Sequence, residues 1–248
     1  MSKTWGTTDV AFLGGEPTVY PALTEITAYA FESGLQTVRI ITNGTSPFLH
    51  FLNRYRYSRL PHISFSIDGA TADTHEAVRG VGTFRQLLES MQAAQRRGYI
   101  ISGITSIGNH NKHELPAILA LANLFSLRYL TMHYVSARGN ATPQMVIPPN
   151  EWLSIMRQIV ELSRNFDLEI RFEQTFVPKS ARLETLPSSR RICVVRSLGN
   201  LMFYPDGRVF ICGLFLGQPG MHSFVWDGKR LLPNTGWSER ELCKSEIP

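Results

Sequence analysis

The chain has 248 residues and a formal net charge of +5, with 43% hydrophobic and 18% charged residues. That balance supports a full apolar core in one large domain, or one domain plus an appendage, and excludes a disordered or low-complexity chain. Three widely spaced cysteines exclude a disulfide framework, and no apolar run approaches the roughly 18–20 residues of a membrane span.

The N-terminus, Met1-Ser2-Lys3-Thr4-Trp5, carries no hydrophobic stretch of signal-peptide type, which implies a cytoplasmic protein. From there the sequence alternates. Apolar, β-branched runs at 9–14, 37–42, 62–67, 100–106 and 129–135 read as strands. Amphipathic runs at 21–33, 47–56, 84–97, 112–125 and 150–165 read as helices. Several helices carry end signals. Ser46-Pro47 reads as an N-cap with proline at the first helical position. Thr83 with Gln86, and Asn111 with Glu114, match capping boxes. Asn150 suits an N-cap, and Gly98 after Arg96-Arg97 suits a stop.

Repeated strand–helix units give an α/β fold with a parallel sheet and right-handed connections. Periodicity alone leaves an open doubly wound sheet and a closed or partial barrel equally available. Proline, glycine and asparagine break the pattern at 138–150. After the 150–165 helix come a last strand at 168–172 and a looser tail holding all three cysteines. The expected domains are 1–176, the strand–helix body, and 177–248, a small extension.

Ligands in parallel sheets bind beyond the C-terminal ends of the strands, and that is where the polar motifs fall. Val10-Ala11-Phe12-Leu13 runs into Gly14-Gly15-Glu16-Pro17, whose backbone and carboxylate suit an ammonium group. The next strand ends in Thr42-Asn43-Gly44, which also suits a plain turn. Ser66 and Asp68 share one face, suiting a ribose or a carboxylate-bearing ligand, although Asp68-Gly69 alone could be a turn. His75 reads as a surface or capping histidine more readily than a catalytic one. Arg79 would pair with a carboxylate. Ser106 and Asn109 close the following strand, and His133 sits within the one after.

In the tail, Tyr204-Pro205-Asp206-Gly207-Arg208 reads as a hairpin turn, with Cys193 before it and Cys212 just after its second strand. Arg54-Tyr55-Arg56-Tyr57-Ser58-Arg59 interleaves cations with aromatics, as single-strand nucleic-acid platforms do. It also follows a helix C-terminus, which attracts cations anyway, so nucleic acid is not the expected partner.

The series Gly14-Gly15-Glu16-Pro17, Thr42-Asn43-Gly44, Ser66-Ile67-Asp68-Gly69, His75 and Arg79-Gly80-Val81-Gly82-Thr83-Phe84 resembles the radical S-adenosylmethionine (radical SAM) enzymes in order and spacing. The resemblance implies a partial (β/α) barrel lacking its first strand–helix unit. It also implies S-adenosylmethionine (SAM) as cofactor, bound by Gly14, Gly15, Glu16, Pro17, Asn43, Ser66, Asp68, Arg79, Ser106 and His133. Family members hold a 4Fe–4S cluster on a C-x3-C-x2-C loop upstream of the Gly-Gly-Glu-Pro element. Thirteen residues precede Gly14 here, and none is a cysteine. The expectation is a truncated chain, inactive and poorly soluble alone.

The tail resembles the SPASM extension, which ligates an additional 4Fe–4S cluster. That assigns Cys193, Cys212 and Cys243 as metal ligands, one short of the usual four thiolates. Three buried thiols with no metal would give the same sequence. The implied partners are a peptide or protein substrate and an electron donor such as a flavodoxin or ferredoxin, with no membrane. The function implied is reductive cleavage of SAM to start radical modification of that substrate. A non-catalytic binding module, and an acid–base barrel enzyme using Asp68 or His133, stand as alternatives.

Overall fold

The structure, a computed structural model, describes residues 6–137, 140–172, 200–215 and 219–236. The chain divides into two compact units, Met1–Glu173 and Gln174–Pro248.

The first unit holds six strands: β1 (Asp9–Phe12), β2 (Thr37–Thr42), β3 (His62–Ser66), β4 (Ile101–Ile107), β5 (Tyr129–Tyr134) and β6 (Glu169–Phe172). They pair in parallel in sequential order. Between them lie α1 (Leu23–Glu32), α2 (Ser46–Arg54), α3 (Ala72–Arg79), α4 (Thr83–Arg96), α5 (Leu115–Leu124) and α6 (Pro149–Ser163).

The strand order decides between the two architectures left open by periodicity. A doubly wound sheet reverses its strand order and so covers both faces with helices. An unreversed order with right-handed crossovers puts every helix on one face. The side chains agree. On one face Val38, Ile40, Ile63, Phe65, Ile67, Ile107, Leu130 and Met132 are at most 1% exposed. They pack with Phe48 and Leu52 of α2, Leu87 and Met91 of α4, Ile118 and Leu119 of α5 and Met156 and Ile159 of α6, all equally buried.

The opposite, inner face is polar. Register aligns Arg39 with His62, Ser64 with Ser102, and Ser106 with His133. The sheet curls toward this face. The Arg39 guanidinium of β2 comes within 5.8 Å of the Tyr129 ring centroid of β5, although two strands intervene and span about 14 Å in a flat sheet. This is an α/β fold with a curled, singly wound parallel sheet.

Several end signals resolve differently from their sequence patterns. Thr83 does not cap α4: Gly82, in the left-handed region at φ 79°, precedes it, and the Thr83 hydroxyl donates to the Gly80 carbonyl at 2.6 Å. Gln86 instead bridges Gly82 O and the Ser46 amide. Ser46 begins α2, with Thr45 at the cap position. Asn150 lies within α6, which starts at Pro149 with no side-chain cap. Gly98 takes φ 76°, as a helix stop requires.

Within the Arg54–Arg59 segment, Tyr55 and Arg59 serve the fold. Tyr55 is buried and donates its hydroxyl to Arg59 O, and burial pushes that phenol up to about 12. Arg59 stacks over Phe31 and donates to the Leu35 and Gln36 carbonyls.

The second unit contains a four-stranded antiparallel sheet in the order β10-β9-β8-β7, formed by β7 (Met202–Phe203), β8 (Arg208–Phe210), β9 (Phe224–Trp226) and β10 (Leu231–Pro233). The expected Pro205-Asp206-Gly207 turn joins β7 to β8, with Gly207 at φ 84°. Among the described residues, no helix is long and apolar enough to cross a membrane.

Candidate functional site

The C-terminal ends of β1 to β5 form the upper rim of the inner face, and two carboxylates organise it. Past β1, Gly14 and Gly15 take φ 90° and 49°, a path that disfavours a side chain, and open space surrounds both. Half-buried Glu16 then reaches sideways. Its Oε1 accepts from the Thr18 amide at 3.1 Å and from the Thr42 hydroxyl at 2.7 Å, and its Oε2 accepts from the Asn43 amide at 2.8 Å. Glu16 therefore ties the loop after β1 to the end of β2, and Pro17 starts a short 3-10 turn behind it. The Asn43 side chain holds its own loop by accepting from the Thr45 amide and hydroxyl.

The second hub is Asp68, 2% exposed, just past β3. Its Oδ1 accepts from the Ser106 amide at 3.0 Å, which ties β3 to β4. Its Oδ2 accepts from Arg79 Nε at 2.6 Å. The Arg79 side chain remains 32% exposed, so the guanidinium is aimed by its inner nitrogen while its outer two bond to nothing among the described residues. An arginine held this way presents a planar fork for a carboxylate.

His75, on α3, is fully buried rather than a surface residue. Its Nδ1 accepts from the Asp68 amide at 3.3 Å. Burial holds this imidazole below its usual range, with Asp68 acting in the opposite sense, so it is a neutral acceptor near neutrality. Gly69 is needed beside it, because a Cβ there would meet His75 N at 2.6 Å.

Asn111 is also not the cap its spacing suggests. It is buried and donates to the Asp68 and Ser106 carbonyls while accepting from the Gly108 amide. Its supposed partner Glu114 accepts instead from the Ala70 amide and the Thr71 and Thr74 hydroxyls. Burial would raise that carboxyl, but these bonds prevail and hold it below its usual range. Asn109 points into its own loop and donates to the Gln144 and Val146 carbonyls.

Ser66 is buried on the inner face, and Ser106 and His133 lie half-buried in register at the upper ends of β4 and β5. The structure thus places Gly14 to Pro17, Asn43, Ser66, Asp68, Ser106 and His133 on adjoining strand ends, with Arg79 reaching them from the end of α3.

Sequence reasoning missed Asn111 and His110. Both nitrogens of His110 are buried without a hydrogen-bond partner among the described residues, and burial lowers its pKa against the pull of Asp68. The signal was available in the polar run Gly108-Asn109-His110-Asn111 closing β4.

Cys212 follows β8 and is 8% exposed. Cys193 and Cys243 lie outside the described residues. Among the described residues, no three His, Cys, Asp or Glu side chains converge as metal ligands.

Residues 2–122 match the model of the radical SAM superfamily. The mycofactocin maturase MftC of Mycobacterium tuberculosis is 33% identical over 235 residues, spanning 88% of this chain and 58% of that protein. An AdoMet-dependent heme synthase of Methanosarcina barkeri is 24% identical over 159 residues, 64% of this chain and 45% of that one. A PqqA peptide cyclase of Ruegeria pomeroyi is 31% identical over 130 residues, 52% of this chain and 34% of its own length. The chain thus spans less than half the length of several curated relatives. Among solved structures, Streptococcus suis SuiB bound to its precursor peptide SuiA superimposes with a TM-score of 0.68 at 15% identity, covering 88% of this chain and 52% of SuiB. The enzyme anSMEcpe with bound AdoMet gives 0.60 at 14% identity, covering 97% and 64%. These likenesses support the fold.

Proposed function

Because the chain belongs to the radical SAM superfamily, whose members use SAM and a 4Fe–4S cluster, we propose that the upper rim binds SAM and serves radical modification of a peptide. The single observation carrying this is the Asp68–Arg79 pair beside the open Gly14-Gly15 backbone. The two ends of an amino acid need opposite chemistry, and the rim offers both. The outer nitrogens of Arg79 suit the cofactor's carboxylate. The Gly14 and Gly15 carbonyls, with the less occupied Oε2 of Glu16, suit its ammonium group. Ser66, Ser106 and His133 line the remaining rim, where a ribose or substrate would lie.

When bound, SAM supplies a sulfonium whose reductive cleavage starts radical chemistry. This chain's residues bind and orient it. The radical cluster is not matched in the same way. The three cysteines are 19 and 31 residues apart, so none forms the C-x3-C-x2-C set. Cys193, Cys212 and Cys243 remain the proposed ligands of a SPASM-like auxiliary cluster in the C-terminal unit. A peptide substrate is supported by relatives whose names describe peptide cyclisation and by SuiB bound to SuiA. A flavodoxin- or ferredoxin-type protein is the proposed electron donor.

Calorimetric titration of the 248-residue chain with SAM tests the reading. Saturable binding, weakened at least about tenfold by Arg79→Gln, is expected. Absence of binding would leave the rim without its proposed ligand.

A further inference from the structure

The lower end of the inner face, at the N-terminal ends of the strands, carries a second polar cluster that the upper rim does not use. Arg39 of β2, His62 of β3, Tyr129 of β5 and Arg171 of β6 face the concave side. The Tyr129 ring is their hub. The Arg171 guanidinium stacks on it at 3.5 Å, the Arg39 guanidinium lies at 5.8 Å, and the His62 ring meets it edge-on at 5.3 Å.

Among the described residues, Arg39 Nε and His62 Nε2 are buried with no hydrogen-bond partner, and the buried Tyr129 hydroxyl, whose oxygen faces the Arg171 guanidinium as an acceptor, has no acceptor for its own proton. Tyr129 as a whole is only 4% exposed. Buried polar groups in folded proteins are nearly always paired, so three donors without an acceptor around one ring call for a common acceptor. Among the described residues, Glu169 and Asp9 do not supply it. Glu169 is committed to Arg171 through two bonds of 2.7 and 2.9 Å. Asp9 is engaged by the Thr8 and Thr37 hydroxyls.

The charges point the same way. Among the described residues, Arg39, Arg171 and the exposed Arg128 stand against Asp9 and Glu169, leaving positive charge in excess. Burial first, then the repulsion of Arg39, Arg128 and Arg171, pushes the His62 imidazole down to about 4. The local field is therefore uncompensated and favours an anion.

We propose that Arg39, His62 and Tyr129 form a binding site for a small oxyanion, a phosphate or carboxylate group, at the lower end of the sheet's inner face. Arg39 offers a planar fork to two oxygens. The Tyr129 hydroxyl and the neutral His62 imidazole, in its Nε2–H tautomer, each donate one further bond. Asn43 on the upper rim follows Arg39 by four residues, about 13 Å along the strand. The site is thus separate from the one proposed for SAM and does not depend on it.

The test is calorimetric titration of the full 248-residue chain, without SAM, using inorganic phosphate in one series and malonate in another. Sodium chloride holds the ionic strength constant. Saturable binding of at least one anion is expected, and the anion that binds identifies the source. Arg39→Gln should weaken it at least about tenfold. Tyr129→Phe, which keeps the ring under Arg171, should weaken it about three- to tenfold. No saturable binding of either anion to the unmodified chain overturns the proposal, as does unchanged affinity in both variants. If Arg39→Gln does not fold, the unmodified chain and Tyr129→Phe still decide.

Discussion

The two ends of the inner face solve the problem of polar side chains inside a sheet in opposite ways. At the upper rim the carboxylates are satisfied internally. Glu16 and Asp68 spend their oxygens on amides and hydroxyls of neighbouring strand ends. At the lower end, among the described residues, the cations and donors around Tyr129 outnumber the acceptors, and three buried donors lack one. The upper arrangement is a scaffold built before any ligand arrives, which leaves backbone groups, the less occupied Oε2 of Glu16 and the outer nitrogens of Arg79 as the contacts on offer. The lower arrangement calls for an acceptor from outside the cluster.

The comparison breaks most sharply at Asp68. Asp68→Ala leaves the Ser106 amide without its acceptor and Arg79 without its anchor. Denaturant unfolding should show a loss of about 3 kcal/mol, with SAM binding lost. A smaller cost is expected at Glu16, which is half-buried. Glu16→Ala should lose about 2 kcal/mol as the Thr42 hydroxyl and Asn43 amide lose their acceptor. Glu16→Gln keeps one carbonyl oxygen and should lose less than half of that.

Acid probes both ends together. His62, His75 and His110 all have folded-state pKa values below their unfolded value of 6.5, chiefly through burial. The unfolded chain therefore binds more protons as pH falls through 6.5, and stability should decline from there toward about 4, where His62 titrates in the folded state. Denaturation midpoints measured from pH 7 to pH 4 check this, and His62→Phe should flatten the slope. The smallest effect on folding is expected for Arg79→Lys, within about 1 kcal/mol, since charge is kept at a partly exposed site. Its SAM affinity should still fall about tenfold, because an ammonium cannot replace the fork.

The upper rim was legible in the sequence because its residues cluster in short motifs closing apolar runs. The rule that ligands gather at strand ends was enough to bring Gly14 to Pro17, Asn43, Ser66 and Asp68 together, whereas their proposed role in binding SAM came from the family resemblance. α3 was missed because His75 is its single buried residue, so it carries no apolar stripe. Thr83 with Gln86 and Asn111 with Glu114 matched capping boxes by spacing, yet each side chain found a longer-range partner that spacing cannot foresee. The choice between a singly and a doubly wound sheet needed the strand order. The lower cluster was illegible for the same reason: Arg39, His62, Tyr129 and Arg171 are far apart in sequence, and only pairing register across a curled sheet brings them around one ring.

Amide chemical-shift mapping of the 15N-labelled chain during a SAM titration tests the central claim most directly. The account predicts that shifts concentrate at Gly14, Gly15, Asn43, Ser66 and Ser106, while the amides of Arg39, His62 and Tyr129 stay in place. Shifts centred on the lower end, or none at saturating SAM, would contradict it.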